Sequence, residues 1–174
     1  MKKSPKKPAR VVPDACPCDS GKRYPDCCGP LHSGVQEAPD AAALVRARFS
    51  AYCVGESDYL WQTLHTEHDD RASGAKGQAD LRAVVEGLGA RRLRRLRRLR
   101  ILDQRAPDAH GVALVLFAGE VMQQGKSHGF VELASFVEEN GAWRSIAAIN
   151  RLSQELSHDL DHLVIDHWDC THHH

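Results

Sequence analysis

Four of the six cysteines fall within thirteen residues, at Cys16, Cys18, Cys27 and Cys28. A segment of about thirty residues cannot bury a core of its own, so cross-links must supply its folding energy. A secreted disulfide framework spreads its cysteines along the chain, whereas clustered cysteines in a cytosolic protein more often bind metal. The basic start MKKSPKKPAR has no apolar stretch behind it, which argues against a secretory signal and for the cytoplasm. No apolar run approaches the ~18 residues of a membrane span.

The spacing is C-x-C-x8-C-C. Pro17 fixes one backbone angle, and Asp19, Ser20 and Gly21 supply a turn that returns Cys27 and Cys28 to the first pair. Four thiolates around Zn2+ make a closed tetrahedral structural site, with Lys22 and Arg23 offsetting its negative charge. Free thiols or a labile disulfide are the bland alternative. His32, four residues past Cys28, is a competing fourth ligand. On this reading, loss of the metal disorders residues 12–32 and leaves the rest folded.

The stretch CPCDSGKRYPDCCGPLHSG resembles the SEC-C zinc motif, the short element also found at the C-terminus of the SecA preprotein translocase. With GPLHSG after it, the stretch is similar to the N-terminus of the bacterial YchJ-like family. That family usually reads CPCGSGK; Asp19 stands at the glycine and tolerates left-handed backbone better than most residues. The resemblance continues in LVRARFSAYCVGESDYLWQTLH, at Arg46, Arg48, Ser50, Ala51, Tyr52, Asp58, Tyr59, Leu60, Thr63 and His65, and in FVELASFVEENGAW, at Glu132, Phe136 and Trp143. The family's Tyr-Val-Asp-Gly ending is replaced by Arg144-Ser145-Ile146-Ala147-Ala148. The resemblance spans residues 16–65 and 99–147. It implies a nuclear-transport-factor-two-like (NTF2-like) domain, a curved sheet wrapped around helices into a cone.

The residues themselves read as α+β. Residues 1–15 are a disordered basic arm, 16–34 the cysteine element, 40–150 the α+β domain and 151–174 a C-terminal helix with a His-rich tail. Asp40 caps a helix from Ala41 to about Cys53, ended by Gly55. Asp58–His65 reads as a second short helix, 66–80 as a polar loop, and Ala79–Leu88 as helix. Strand-like segments follow at Leu99–Gln104, Val112–Val121, His128–Glu138 and Trp143–Ile149, with a tight hairpin at Asn140-Gly141. Helices followed by an antiparallel run make α+β, with a cone-shaped sheet as the resemblance implies. Leu152, Leu156, Leu160, Leu163 and Val164 have the spacing of an amphipathic helix.

The net charge of zero conceals an asymmetry. RRLRRLRRLR carries seven arginines (Arg91, Arg92, Arg94, Arg95, Arg97, Arg98 and Arg100), and MKKSPKKPAR carries five positive charges; the other 154 residues sum to −12. The run reads as helix to about Leu96 and then strand. It either binds phosphates of RNA or a ribosomal surface, without base reading, or pairs with the acidic body at Glu155, Asp159, Asp161 and Asp166.

No GxSxG, P-loop or dinucleotide fingerprint is present. His65, facing Glu132 or Glu120, is the candidate acid–base pair, although helix-end and strand positions are equally served by structural roles. Cys53 reads as a buried small apolar residue. Two functions follow. One is a non-enzymatic zinc-binding adaptor for a protein or ribonucleoprotein partner. The other is a small-molecule pocket, binding or enzymatic, inside the cone. A filled cone with an exposed zinc hook favours the first; an open apolar pocket with a convergent histidine or carboxylate favours the second.

Overall fold

The structure is a computed structural model describing residues 12–87, 96–152 and 160–169. Beyond the cysteine element and its short helix α1 (Gly29–His32), it runs α2 (Ala41–Val54), α3 (Ser57–Gln62), α4 (Asp69–Ala72), α5 (Gly74–Gly87), β1 (Leu96–Arg105), β2 (Ala113–Gln123), β3 (Lys126–Glu139), β4 (Ala142–Leu152) and α6 (Ile165–Asp169). The strands form one antiparallel meander in the order β1-β2-β3-β4. The α+β expectation holds.

Local chemistry sets the boundaries. The Asp40 side chain accepts the Ala43 N–H at 2.7 Å, satisfying one orphan donor at the start of α2. The two hairpins turn on Gln124-Gly125 and Asn140-Gly141, all four residues with positive φ, the backbone of a tight two-residue turn whose twist matches the strands. Thr63–His65 adds a short parallel contact beside β4: Ser145 N–H donates to Thr63 O at 2.8 Å, and His65 N–H to Ser145 O at 2.9 Å.

α2 is buried almost all round, through Leu44, Val45, Ala47, Phe49, Ala51, Cys53 and Val54. A helix buried on every side must be covered on every side. Here the sheet covers one face and the cysteine element another. β2 is likewise covered on both faces. Val115 and Phe117 join the α2 core, while Leu116 and Ala118 join Val131 under a C-terminal strap carrying Leu163, Ile165 and Trp168.

Three expectations need correction. Residues 66–80 are not a loop: they hold α4 and the first half of α5, helices stabilised by the burial of Leu81 and Val85 rather than by a legible start signal. The second short helix stops at Gln62, because Thr63–His65 is drawn into contact with Ser145. The amphipathic helix expected from Leu152 is absent at its described positions: Leu152 is the last residue of β4, Leu160–His162 is a single 3-10 turn, and among the described residues of the tail only Ile165–Asp169 is α-helical. Residues 153–159, including Leu156, Glu155 and Asp159, lie outside the described residues, as do Cys170 and His172–His174.

Candidate metal centre and cavity

The cysteine element is built by short-range bonds. Ala15 pairs with Arg23 across the loop, and Cys16 N–H donates to Lys22 O at 2.9 Å. Asp19 adopts φ 55°, so the left-handed turn survives the loss of the family glycine. Tyr24–Asp26 is a 3-10 turn that swings Cys27 and Cys28 back, and a Cβ on Gly29 would stand 2.9 Å from Tyr24 O, so only glycine fits there. The ligand atoms of Cys16, Cys18, Cys27 and Cys28 all lie within 4.8 Å of one another. Cys18 and Cys27 sulfurs are 3.6 Å apart and Cys27 and Cys28 3.9 Å. A disulfide would need about 2.05 Å. The edge of a tetrahedron with metal–sulfur bonds of ~2.3 Å is about 3.8 Å. The four soft donors therefore fit a metal ion.

In the thiol form the cluster shares protons. Hydrogen bonding from Cys18 and then Cys28 holds Cys16 well below the ordinary thiol range, while sharing with Cys16 and Cys18, and burial, push Cys28 up. The surroundings stabilise negative charge: Ser20 Oγ lies 3.2 Å from Cys27 Sγ, and Arg46 Nη1 donates to Cys18 O at 2.9 Å. Arg46 is the nearby cation that spacing arguments missed. Lys22 and Arg23 are exposed, and Arg23 pairs with Asp14 at 3.1 Å.

His32 is already occupied. Its Nδ1 lies 2.7 Å from the Tyr24 hydroxyl and its Nε2 2.8 Å from Ala47 O on α2, and its ring packs on Tyr59 at 4.7 Å. With both ring nitrogens engaged, it stands outside the cluster and locks the element to the helix. The element is consequently no separate hook: Cys16, Cys18 and Cys28 share one core with Leu44, Ala47 and Ala51.

The remaining candidates separate. His65 Nδ1 accepts the Glu67 N–H at 3.1 Å, and its Nε2 faces Glu139 at 3.5 Å. A hydrogen bond from the Thr66 hydroxyl holds that carboxyl below the usual range. His65 does not pair with Glu132: its Nε2 faces Glu139, whereas Glu132 lines a cavity of about 530 Å3 between α2, α5 and the sheet. Glu120 is also elsewhere, bonded to Arg97 at 3.1 Å, Arg98 at 2.8 Å and Ser127 at 2.6 Å. Arg97, Arg98 and Arg100 lie on β1, and Arg100 bonds Asp161 at 2.6 Å. Arg91, Arg92, Arg94 and Arg95 lie outside the described residues. Cys53 is buried as expected, and burial pushes its thiol up to about 12.

Phe49, Phe117, Phe130 and Phe136 supply much of the cavity's apolar wall. Arg48, Tyr52, His68, Asp70, Glu132 and Asn150 are among its polar lining. Arg48 Nη1 donates to Leu60 O at 2.8 Å and Thr63 Oγ1 at 2.6 Å, which fixes the end of α3. Asn150 donates to Glu132 Oε2 at 3.1 Å, an amide made adjacent by strand register. His68 Nδ1 accepts the Asp70 N–H at 3.1 Å, and burial lowers the ring's basicity. Nothing in the polar stretch 66–80 signals His68 and Asp70, because its composition predicts a loop rather than a cavity wall.

A match to the family model "YchJ, middle NTF2-like domain" covers residues 40–148. The chain belongs to the YchJ-like family. The YchJ-like chain is 39% identical over 146 residues to a UPF0225 protein of Bordetella parapertussis, covering 82% of this chain and 94% of the relative, and equally to one of Bordetella bronchiseptica. A SEC-C motif-containing protein of Rhodopseudomonas palustris, solved in solution, superposes with TM-score 0.62 at 27% identity, covering 77% of this chain and 96% of the other. A crystal structure of a SEC-C motif-containing protein from Psychrobacter arcticus shares the fold, with TM-score 0.58 at 20% identity and coverage of 76% and 80%. The NTF2-like expectation thus holds, and the four-cysteine cluster sits where the SEC-C resemblance placed it. Among the described residues no helix is long and apolar enough to cross a membrane.

Burial pushes the Glu132 carboxyl up; the Asn150 bond and the Arg48 charge offset only part of that. A carboxyl with a raised folded pKa binds its proton more tightly when folded. Its contribution to stability is complete below the unfolded value and is lost as pH rises through the raised one. Glu132→Gln, which keeps the acceptor for Asn150, is therefore expected to melt above the wild type at pH 8 and level with it at pH 4. Thermal melts at both pH values check this; a wild type more stable than the variant at pH 8 would contradict it.

Proposed function

We propose that this protein binds a small molecule in the cavity under α2, and that zinc in the cysteine cluster is a structural staple that holds the cavity's helical wall. The cavity carries the reading. It has the size and composition of a ligand site, apolar walls with a few convergent polar groups. Those groups are unspent: among the described residues, the Tyr52 hydroxyl, His68 Nε2 and Glu132 Oε1 have no hydrogen-bond partner. A filled cone would have supported the adaptor reading; an open one with a carboxylate supports the pocket. No nucleophile there is hydrogen-bonded to a base, so binding is proposed rather than turnover.

Four cysteines, three of them buried and Cys27 half-buried, supply all four positions of a tetrahedron, which is the arrangement of a structural zinc site rather than a catalytic one. The adaptor reading retains one specific support. The cysteine element and its flanks leave Val12 and Val35 exposed, at 50% and 76%, and Lys22 and Arg23 exposed as well, apolar and basic groups of the kind a protein partner can cover. The bonds of Arg97, Arg98 and Arg100 to Glu120 and Asp161 support internal pairing over RNA contact for these three.

The pocket is tested with Nile red, a neutral apolar fluorophore. Saturable binding with one site per chain is expected. Ala148→Trp places an indole at the exposed sheet side of the cavity and should weaken binding at least tenfold with the melting temperature unchanged. Unsaturable binding, or binding indifferent to that substitution, would count against the pocket.

A further inference from the structure

We propose that the ligand is an amphipathic amine, an aromatic or branched apolar body carrying a protonated nitrogen that Glu132 receives. The inference rests on the pocket reading above and adds the chemical class.

It begins with the charges that line the cavity. Arg48 is the cation; Glu132 and Asp70 are the anions; His68, desolvated and accepting at Nδ1, is held toward its neutral form. The balance is negative. The cation and the carboxylate are also differently committed. Arg48 makes no ion pair with Glu132, and its Nη1 is divided between Leu60 O and Thr63 Oγ1, where it holds the end of α3. Glu132 has one neutral donor, the Asn150 amide, on one oxygen only. A carboxylate half-buried beside apolar walls with a single neutral donor is poorly compensated, and a cation from the ligand is what completes it.

The surrounding groups suit the same ligand. Strand alternation puts Phe130, Glu132 and Ala134 on one face of β3, so the carboxylate rises between an aromatic ring and a small residue. Phe117 and Phe130 meet edge to face, with centroids 6.4 Å apart, and four phenylalanines in all line the space. Aromatic faces attract cations through the ring quadrupole. Asn150 and the Tyr52 hydroxyl offer further oxygen acceptors for the remaining N–H groups of an ammonium. Burial disfavours ionised Glu132, and a positive charge placed beside it opposes that effect.

The test uses three probes of one shape against Nile red at pH 8: 1-naphthylmethylamine, 1-naphthalenemethanol and 1-naphthylacetate. The amine is expected to displace the dye at a concentration at least tenfold below either of the others. Glu132→Gln should bring the amine to the level of the alcohol. Preference for the carboxylate would make Arg48 the anchor and overturn the proposal. So would equal displacement by all three, no displacement by any, or an amine preference that survives Glu132→Gln. In each of those cases Nile red still binds and the pocket stands. Failure of Nile red to bind at all removes the pocket and this proposal together.

Discussion

Replacing Cys18 with serine is expected to empty the cluster of the zinc proposed for it and to lower the melting temperature by about 6–20 °C. Serine keeps the size but offers a hard oxygen in place of a soft thiolate, and three thiolates hold zinc far less tightly than four. Cys18 is fully buried, and its sulfur is 3.6 Å from that of Cys27. Sequence reading expected only residues 12–32 to come loose. The shared core changes that. Cys16, Cys18 and Cys28 pack with Leu44, Ala47 and Ala51 of α2, so loosening the element uncovers the helix that forms the cavity wall. A loss of about 3–5 kcal/mol is expected, part of the ~10–16 that structural zinc can supply. At about 2–4 °C per kcal/mol for a domain of this size, that gives the stated shift. Elemental analysis and thermal melts check both halves. Zinc-free protein as freshly purified, or a zinc-free variant melting at the wild-type temperature, would defeat the staple.

Trp168→Ala is expected to cost about 3–5 kcal/mol, the range for a large aromatic side chain removed from a core. The indole is fully buried with Leu116, Ala118 and Val131, and Arg151 stacks over it at 5.2 Å. The strap is tied at its ends as well: Asp103 accepts the Ile165 N–H at 2.9 Å, Arg100 bonds Asp161, and Arg105 bonds Asp166. Exposed ion pairs of that kind contribute only about 0–1 kcal/mol each, so the apolar contact dominates. Urea denaturation reads the loss directly, and Trp168→Phe should recover most of it. A cost below about 1 kcal/mol would mean that the strap does not anchor there.

What was legible in the sequence was local. Asp40 and Gly55 marked the ends of α2 because a cap and a terminator act through bonds to their own neighbours. Asn140-Gly141 marked its hairpin for the same reason. The four cysteines marked a metal site because proximity in the chain nearly guarantees proximity in space. What depended on partners far away was not legible. α5 begins in polar sequence at Gly74, and Gly77 lies against the backbone of Asp70, a contact that no helix-forming signal announces. The face on which Glu132 lies follows from its register opposite Phe117 and Asn150, and it separates Glu132 from His65, which the chain order alone left free to meet. The spacing of His32 offers it as an alternative ligand, but both of its nitrogens are bonded elsewhere.

The strap has a consequence in time. A ribosome makes the chain from the N-terminus, so the cysteine element and α2 emerge long before the sheet that they pack against. β4 ends at Leu152, and Trp168 follows sixteen residues later. At about 5–20 residues per second, the finished sheet waits roughly 1–3 s for its cover. Until the strap docks, Leu116, Val131 and Leu133 on the outer face of the sheet lack their cover. A nascent chain stalled before the strap would present that face to chaperones, and release would withdraw it.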